Sequence, residues 1–283
     1  MKIAHLILAH SQPDQLSRLI NRLTNKDADC FIHIHAKANL ENFKKITQIP
    51  NAFVLSKRIN ITLGSYSAVQ ATLNGLSSII ASNKNYDYIN LLSGLDYPLK
   101  SASEIAQFLT ERKGNLFMEY YSVENEWKEA IPRITKYHFT DCNMPGKQKF
   151  ERFVNGMLPS RKMPQKLIPV GRSQWFTITL ESAKYILSYL KKNPDIEQFF
   201  KLTWAPEEIF FQTVLYNSPF NAAMVNNNLR YIDWSEGNAI PKTFTINDFK
   251  TLQGSGKLFA RKFNMNKDER ILTALDELTT STV

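Results

Sequence analysis

Over its first 120 residues the chain alternates short apolar runs with segments of helical periodicity, and this alternation constrains the fold more than any other feature. Ile3 to Ala9 is a continuous apolar run, the pattern of a buried strand. Pro13 opens a helix that sets Leu16, Leu19, Ile20 and Leu23 on one face. Cys30 to His35 reads as a second strand, a weaker helix passes through Phe43, and Ala52 to Leu55 reads as a third strand. A helix over Tyr66 to Ile80 leads into a fourth strand, Tyr86 to Leu92. Ser101-Ala102-Ser103-Glu104 has the spacing of a capping box, and Asn115 to Tyr121 follows as a fifth strand. Strands separated by helices pair in parallel, because only a long crossover returns the chain to start a parallel neighbour. An α/β domain with a largely parallel sheet is expected.

Beyond this the pattern loosens. Residues 122–170 hold Trp127, Arg133, Lys136, Tyr137, Arg152, Arg161, Lys162 and Lys166 with little clean periodicity, so a basic and aromatic excursion of part helix and part loop is expected. Gly171 to Thr179 returns to a strand pattern, and Glu181 to Leu190 to a helical one. Leu229 to Ile232 is strand-like, Thr245 begins a short helix, Leu258 to Phe263 reads as a last strand, and a helix near Glu269 to Leu278 follows. Cys30 and Cys142 are too far apart in sequence for a CxxC site, and they suggest neither a disulfide framework nor zinc. The N-terminal run is too short and polar for a signal peptide, and no apolar run approaches a membrane span. A soluble protein of a reducing compartment is expected. The formal charge of +9 suggests anionic partners.

Several positions could carry chemistry. In Trp204-Ala205-Pro206-Glu207-Glu208-Ile209-Phe210-Phe211, proline suits a first helical turn and two carboxylates follow it, ahead of an apolar helix face. Complementing the helix dipole accounts for such a start, and so does a general base held at the lip of a cleft. Ser93-Gly94-Leu95-Asp96-Tyr97-Pro98 follows the fourth strand, where α/β sheets bind ligands, although Gly, Asp and Pro also make an ordinary turn. The Asp-x-Asp pair Asp27-Ala28-Asp29 precedes the second strand, the wrong end for a ligand, and reads as a solvated loop. His33 and His35 share a strand face without an evident third metal ligand. Lys242, Lys257, Arg261 and Lys262 are candidate cations, with Arg261 and Lys262 expected on opposite faces of the last strand.

These segments together resemble the core-2/I-branching enzymes, glycosyltransferase family 14, which includes β-1,6-N-acetylglucosaminyltransferases and peptide O-xylosyltransferases. The resemblance runs in order over about residues 1–265. It rests on Phe31-Ile32-His33-Ile34-His35, Gly64-Ser65-Tyr66-Ser67, Asn90 to Leu99, Ser173-Gln174-Trp175-Phe176, Pro206-Glu207-Glu208, Arg230 to Trp234, and Leu258 to Phe263. It implies a glycosyltransferase A-type, Rossmann-like single domain with a mixed, largely parallel central sheet. Residues 1–121 would form the nucleotide-sugar half and 122–283 the acceptor and catalytic half.

It further implies inverting transfer of a sugar, GlcNAc or xylose, from a UDP-sugar to a hydroxyl of a glycan or lipid-linked oligosaccharide, with no metal and no other cofactor. The family's base, the last acid of a Pro-Asp-Glu motif, falls on Glu208. The Arg and Lys that hold the donor diphosphate fall on Lys242 and Lys262, so a lysine replaces the arginine and its forked grip is lost. His35 stands where the family usually has Asp near the nucleotide. With Arg261 and Asp96 these complete the donor side. Glu119, Arg133, Lys136 and Trp234 fall on the acceptor side. The resemblance fits a bacterial cytoplasmic enzyme of surface-polysaccharide synthesis, peripheral at the inner membrane where basic residues meet acidic lipid. The rival readings are a family member without catalysis and a basic nucleic-acid-binding protein, though nucleic-acid motifs are absent.

Overall fold

A computed structural model of the chain describes residues 1–142 and 145–280. In chain order its elements are β1 (Ile3–Ala9), α1 (Pro13–Leu23), β2 (Ala28–Ile34), β3 (Ala52–Val54), α2 (Tyr66–Ala81), β4 (Tyr88–Ser93), β5 (Asp96–Pro98), α3 (Ala102–Glu111) and β6 (Leu116–Ser122). There follow α4 (Ile131–Thr135), α5 (Lys147–Met157), β7 (Val170–Thr179), α6 (Leu180–Lys192), α7 (Pro194–Lys201), α8 (Phe210–Tyr216), β8 (Met224–Asn226), β9 (Arg230–Ile232), α9 (Phe249–Gly254), β10 (Phe259–Arg261) and α10 (Arg270–Thr280). No described helix is long and apolar enough to cross a membrane. The residues form two compact units. The first comprises Met1–Arg58, Asn83–Gly114 and Leu229–Val283, and the second Ile59–Ser82 and Asn115–Asn228.

In the first unit β1 pairs in parallel with β2 on one side and β4 on the other, and β2 pairs in parallel with β3. All of β1, β2 and β4 is buried, which explains why these strands read as apolar runs without alternation. The Asp-x-Asp pair stands at the amino end of the strands, but it is not the solvated loop its composition suggested: Asp29 is the second residue of β2, buried beside β1, and accepts bonds from Lys84 Nζ (2.8 Å) and Tyr86 Oη (2.5 Å). His35 and Ser93 end up at the opposite, carboxyl edge. Ser101 caps α3 with the full reciprocal box, its hydroxyl accepting from the Glu104 amide while Glu104 accepts from the Ser101 amide. A small second sheet has the order β5-β10-β9, antiparallel between β5 and β10 and parallel between β10 and β9. The Asp96 segment is therefore a strand, where local composition suggested a turn. Turn residues can sit in a strand when a distant segment, here Phe259–Arg261, supplies the ladder bonds.

In the second unit β6 pairs antiparallel with β7 and parallel with β8. The whole chain is thus an α/β protein with mixed, largely parallel pairing. The core of this unit is aromatic. Phe176 of β7 lies 5.1 Å from Phe211, Phe210 lies 5.0 Å from Phe211 and 5.1 Å from Phe200, and Tyr66 of α2 stands edge-on to Phe210 at 6.1 Å. Each such ring taken out of water contributes roughly 1.5–3 kcal/mol. The excursion after β6 is part helix and part loop, with α4 and α5 as its helices.

The helix expected to begin at Pro206 does not run through. Pro206–Glu208 form a separate single turn, Ile209 leaves the helical path at φ −124°, and α8 starts at Phe210. Tertiary contact explains the break, because the backbone at 208–209 lies directly against β7 at Gly171. A Cβ added there would run into the Glu208 carbonyl and stand 2.7 Å from Ile209 Cα. Gly171→Ala is therefore expected to cost about 1–3 kcal/mol of stability, as overpacking against backbone does. Urea unfolding measures it, and a variant as stable as the parent would mean the approach is looser than described.

Candidate active site

The turn carrying the two acids is entered through Ala205, whose φ of 49° is in the left-handed region, unfavourable for a residue with a Cβ. The conformation is held by the Ala205 amide, which donates to the Gly64 carbonyl at 2.9 Å. Gly64 is itself at φ +70°, and a Cβ on it would stand 2.8 Å from Trp204 Nε1. Gly64 thus places both the turn and the indole before it.

This placement puts two adjacent carboxyls in opposite surroundings. Glu207 is 8% exposed, and its Oε2 has no hydrogen-bond partner among the described residues. Burial, reinforced by the neighbouring Glu208 charge, pushes its carboxyl up to about 8. Glu208 has a 35% exposed side chain, and its Oε2 accepts from Arg133 Nη1 at 2.6 Å. Its Oε1 has no partner among the described residues. Arg133, on α4, is held in turn by two indoles, with its guanidinium carbon 4.4 Å from the Trp204 ring centre and 4.7 Å from that of Trp127. Arg172 also lies over Trp127, at 5.4 Å. A planar guanidinium can stack on two rings and still donate in its plane, which an ammonium cannot do. The result is a fixed carboxylate with one oxygen engaged and one open.

Elsewhere in this unit Glu119 accepts from Asn228 Nδ2 at 3.0 Å, and the same amide nitrogen reaches Ser173 Oγ at 3.1 Å. Lys136 is exposed, and its carbonyl accepts from buried Arg161.

The first unit gathers cations. Arg261 ends β10 opposite Asp96 of β5, with Nη1 3.6 Å from Oδ1. Asp96 is fully buried and also accepts from the Ser93 amide at 3.0 Å. Burial raises the Asp96 carboxyl and lowers the Arg261 guanidinium, while each charge opposes the other's shift. Lys262 lies just past the end of β10, not on a strand face as the alternation suggested. Its amide donates to the Lys242 carbonyl at 3.3 Å, which sets the two lysines on adjacent segments. Their side chains differ. Lys242 Nζ donates to Asp248 Oδ1 at 2.6 Å, and this bond raises its pKa. Lys262 makes no ion pair among the described residues. Its partial burial, and then Arg261 and Lys267 nearby, hold its ammonium below the ordinary range.

At the carboxyl edge of β2, His35 accepts from the Lys37 amide through Nδ1 at 3.2 Å, and Arg58 donates to the carbonyls of His35 and Ala38, both at 2.6 Å. The covering of the His10 ring, and then His35 and Arg261, lower the His10 imidazole. Trp234 is exposed.

Among the described residues no three His, Cys, Asp or Glu side chains converge to hold a metal ion. Of the residues singled out from sequence, the structure joins Glu208 to Arg133, Arg261 to Asp96, and Lys242 to Lys262 through the backbone. Glu119, Lys136 and Trp234 are not drawn into these contacts by any bond described. Sequence reasoning passed over Trp204 as a stacking partner, the neutral state of Glu207, and His10. The left-handed Ala205, which sets Trp204 and the turn of Glu207, carries no local signal that could have revealed those two.

The family model described as Core-2/I-Branching enzyme matches residues 3–253. Among curated proteins, xylosyltransferase 2 of Rattus norvegicus is 25% identical over 304 residues, covering 98% of this chain and 33% of that protein. The xylosyltransferase of Ciona intestinalis is 24% identical over 299 residues, with 98% and 34% coverage. The chain thus spans about a third of the length of these relatives. Among solved structures, mouse xyloside xylosyltransferase 1 overlaps 91% of this chain and 97% of that one at a TM-score of 0.41 and 8% identity.

The state of Glu207 has a measurable consequence. Its carboxyl titrates at an ordinary 4.5 when the chain is unfolded and near 8 when folded, so the folded state binds the proton more tightly. Its contribution to stability is complete below about pH 4.5 and is lost as pH rises toward 8. Glu207→Gln removes the proton from this balance. The variant is expected to gain stability on the parent steadily between pH 5 and pH 8 in paired urea titrations. A stability difference that stays constant across that range would show that Glu207 is not held neutral.

Proposed function

The chain belongs to the core-2/I-branching enzyme family, and on that premise we propose that it is an inverting glycosyltransferase. It moves a sugar from a UDP-sugar to a hydroxyl of a glycan acceptor without a metal ion. The relatives it matches are named xylosyltransferases, so xylose is the first donor to test and GlcNAc the second. One observation carries the reading. Glu208 is a half-open carboxylate with Oε2 locked on Arg133 and Oε1 unpaired. Its neighbour Glu207 is closed off from solvent and keeps its proton to about pH 8.

Inversion needs a base to take the acceptor's proton as its oxygen attacks the anomeric carbon. Glu208 Oε1 fits that task. Glu207 does not, because it is already protonated at neutral pH. Inversion also needs positive charge where the diphosphate departs. In the first unit Lys262 is the cation best suited, being unpaired and close to other positive groups that an anion would relieve. Lys242 is partly committed to Asp248, and Arg261 to Asp96. His35, at the carboxyl edge, fits the nucleotide end of the donor, while Asp96, fully buried, serves that side by holding Arg261. Glu119, Arg133, Lys136 and Trp234 remain the acceptor-side set, with Arg133 now serving Glu208 as well.

Glu208→Gln is expected to lower kcat by about 10²–10⁴-fold with UDP affinity unchanged, while Glu207→Gln keeps most of its turnover at neutral pH. Rapid transfer by the Glu208 variant would remove the base assignment. For the diphosphate, calorimetry on Lys262→Ala should show UDP binding weakened about ten- to a hundredfold and uridine binding little changed, with a smaller loss for Lys242→Ala. Equal losses for both ligands would mean the lysine does not read phosphate. Activity that EDTA abolishes and manganese restores would overturn the metal-free mechanism.

A further inference from the structure

Helix α5 is attached to its unit the wrong way round. A surface helix normally buries its apolar stripe and leaves polar residues in water. Here none of the helix residues Lys147–Met157 is fully buried, and the polar edge makes the bonds to the protein. Asn155 Oδ1 accepts from the Tyr137 amide at 2.8 Å, and its Nδ2 donates to the Tyr137 carbonyl at 2.9 Å. Glu151 contacts His138 Nδ1 at 3.1 Å. These two residues are one turn apart and mark the inward face. The apolar residues Phe150, Phe153 and Met157 follow at spacings of three and four, on another face of the helix. They are 41%, 63% and 69% exposed, and Leu158 just past the helix end is 48% exposed. Phe150 keeps one ring contact, with Phe139 at 5.2 Å, so the outer part of the stripe is Phe153 and Met157.

The charges around this stripe are one-sided. Residues 145–168 hold Lys147, Lys149, Arg152, Arg161, Lys162 and Lys166 against the single acid Glu151. Arg161 is buried, donating to the carbonyls of Lys136 at 2.9 Å and Leu202 at 2.5 Å. Glu151 faces inward. What this stretch of chain leaves in solvent is positive: Lys149 and Arg152 on the helix and Lys162 and Lys166 after it are all exposed, and Lys147 is partly so.

We propose that α5 is an interfacial helix that docks this unit on an anionic lipid surface, with Phe153, Met157 and Leu158 entering the acyl boundary and the flanking lysines and Arg152 meeting the headgroups. Charge complementarity selects this occupant. Apolar side chains ringed by cations on a helix with a clear polar back are what an acidic interface retains. A second copy of the same face would bring like charges together around the rings. An oligonucleotide would meet the cations but leave a methionine and a leucine in water. The contact is independent of the proposed transfer chemistry, since none of these residues belongs to the sites described above.

The test is co-sedimentation of the full chain with vesicles of phosphatidylcholine, alone or mixed with phosphatidylglycerol. Binding is expected only to the mixed vesicles, and to weaken as salt is raised. The double variant Phe153→Ser, Met157→Ser should lose about tenfold or more in partitioning, while its circular dichroism is unchanged. Lys149→Glu with Lys162→Glu, which leaves the apolar stripe intact, should lose binding to the mixed vesicles as well. Equal binding to neutral vesicles, or undiminished binding by the serine variant, overturns the proposal. So does parent protein that dimerises, or binds an oligonucleotide, through this helix while ignoring vesicles.

Discussion

The guanidinium of Arg133, held between two indoles and bonded at 2.6 Å to Glu208, is the interaction on which the candidate base depends. A glutamate side chain that is about a third exposed would otherwise sample several rotamers. Stacking costs the guanidinium its freedom once, in folding, and leaves its in-plane N–H groups oriented for the carboxylate. The indoles come from residues on either side of Arg133 in the chain, Trp127 just before α4 and Trp204 just before the acidic turn. The close backbone approach at Gly64 and Gly171 allows that turn to lie where Arg133 can reach it.

Burial then separates two carboxyls that are chemically almost the same. Glu207 and Glu208 are consecutive on one turn, so their side chains leave it in different directions. One enters the protein and keeps its proton, and the other meets a cation and solvent. A carboxyl raised as Glu207 is cannot accept a proton at neutral pH, which leaves its neighbour as the candidate. The neutral partner also places no second negative charge beside the candidate base.

In the first unit the cations are graded by what already neutralises them. Arg261 lies against a fully buried aspartate, Lys242 against Asp248, which also serves the capping box at Thr245, and Lys262 against other cations. Charge that is already paired has less to give an incoming anion, because breaking the old bond offsets the new one. The same principle orders the surface of α5, where the one acid is turned inward and the bases stay open.

Local pattern alone determined the β-α alternation, the parallel pairing of β1, β2, β3 and β4, the capping box at Ser101, the helix start at Thr245, and the acidic pair after Pro206. It did so because buried parallel strands must be apolar throughout and helix starts need specific caps, both of which are visible within a few residues. The resemblance of ordered segments pointed to Glu208 as the candidate base and to Lys242 and Lys262 as candidate cations. Tertiary structure alone decided that Asp96 is a strand residue, that the turn at 206–208 stops before α8, and that Arg133 meets Glu208 between Trp127 and Trp204. Only it could decide that Glu207 stays neutral and that α5 turns its phenylalanines outward. Each of these depends on groups far apart in the chain that meet only after folding: Asp96 on Arg261, Glu208 on Gly171, Trp204 on Gly64. Residue type and spacing carry the periodicity of an element, but the dielectric and partners around a side chain belong to its neighbours in space.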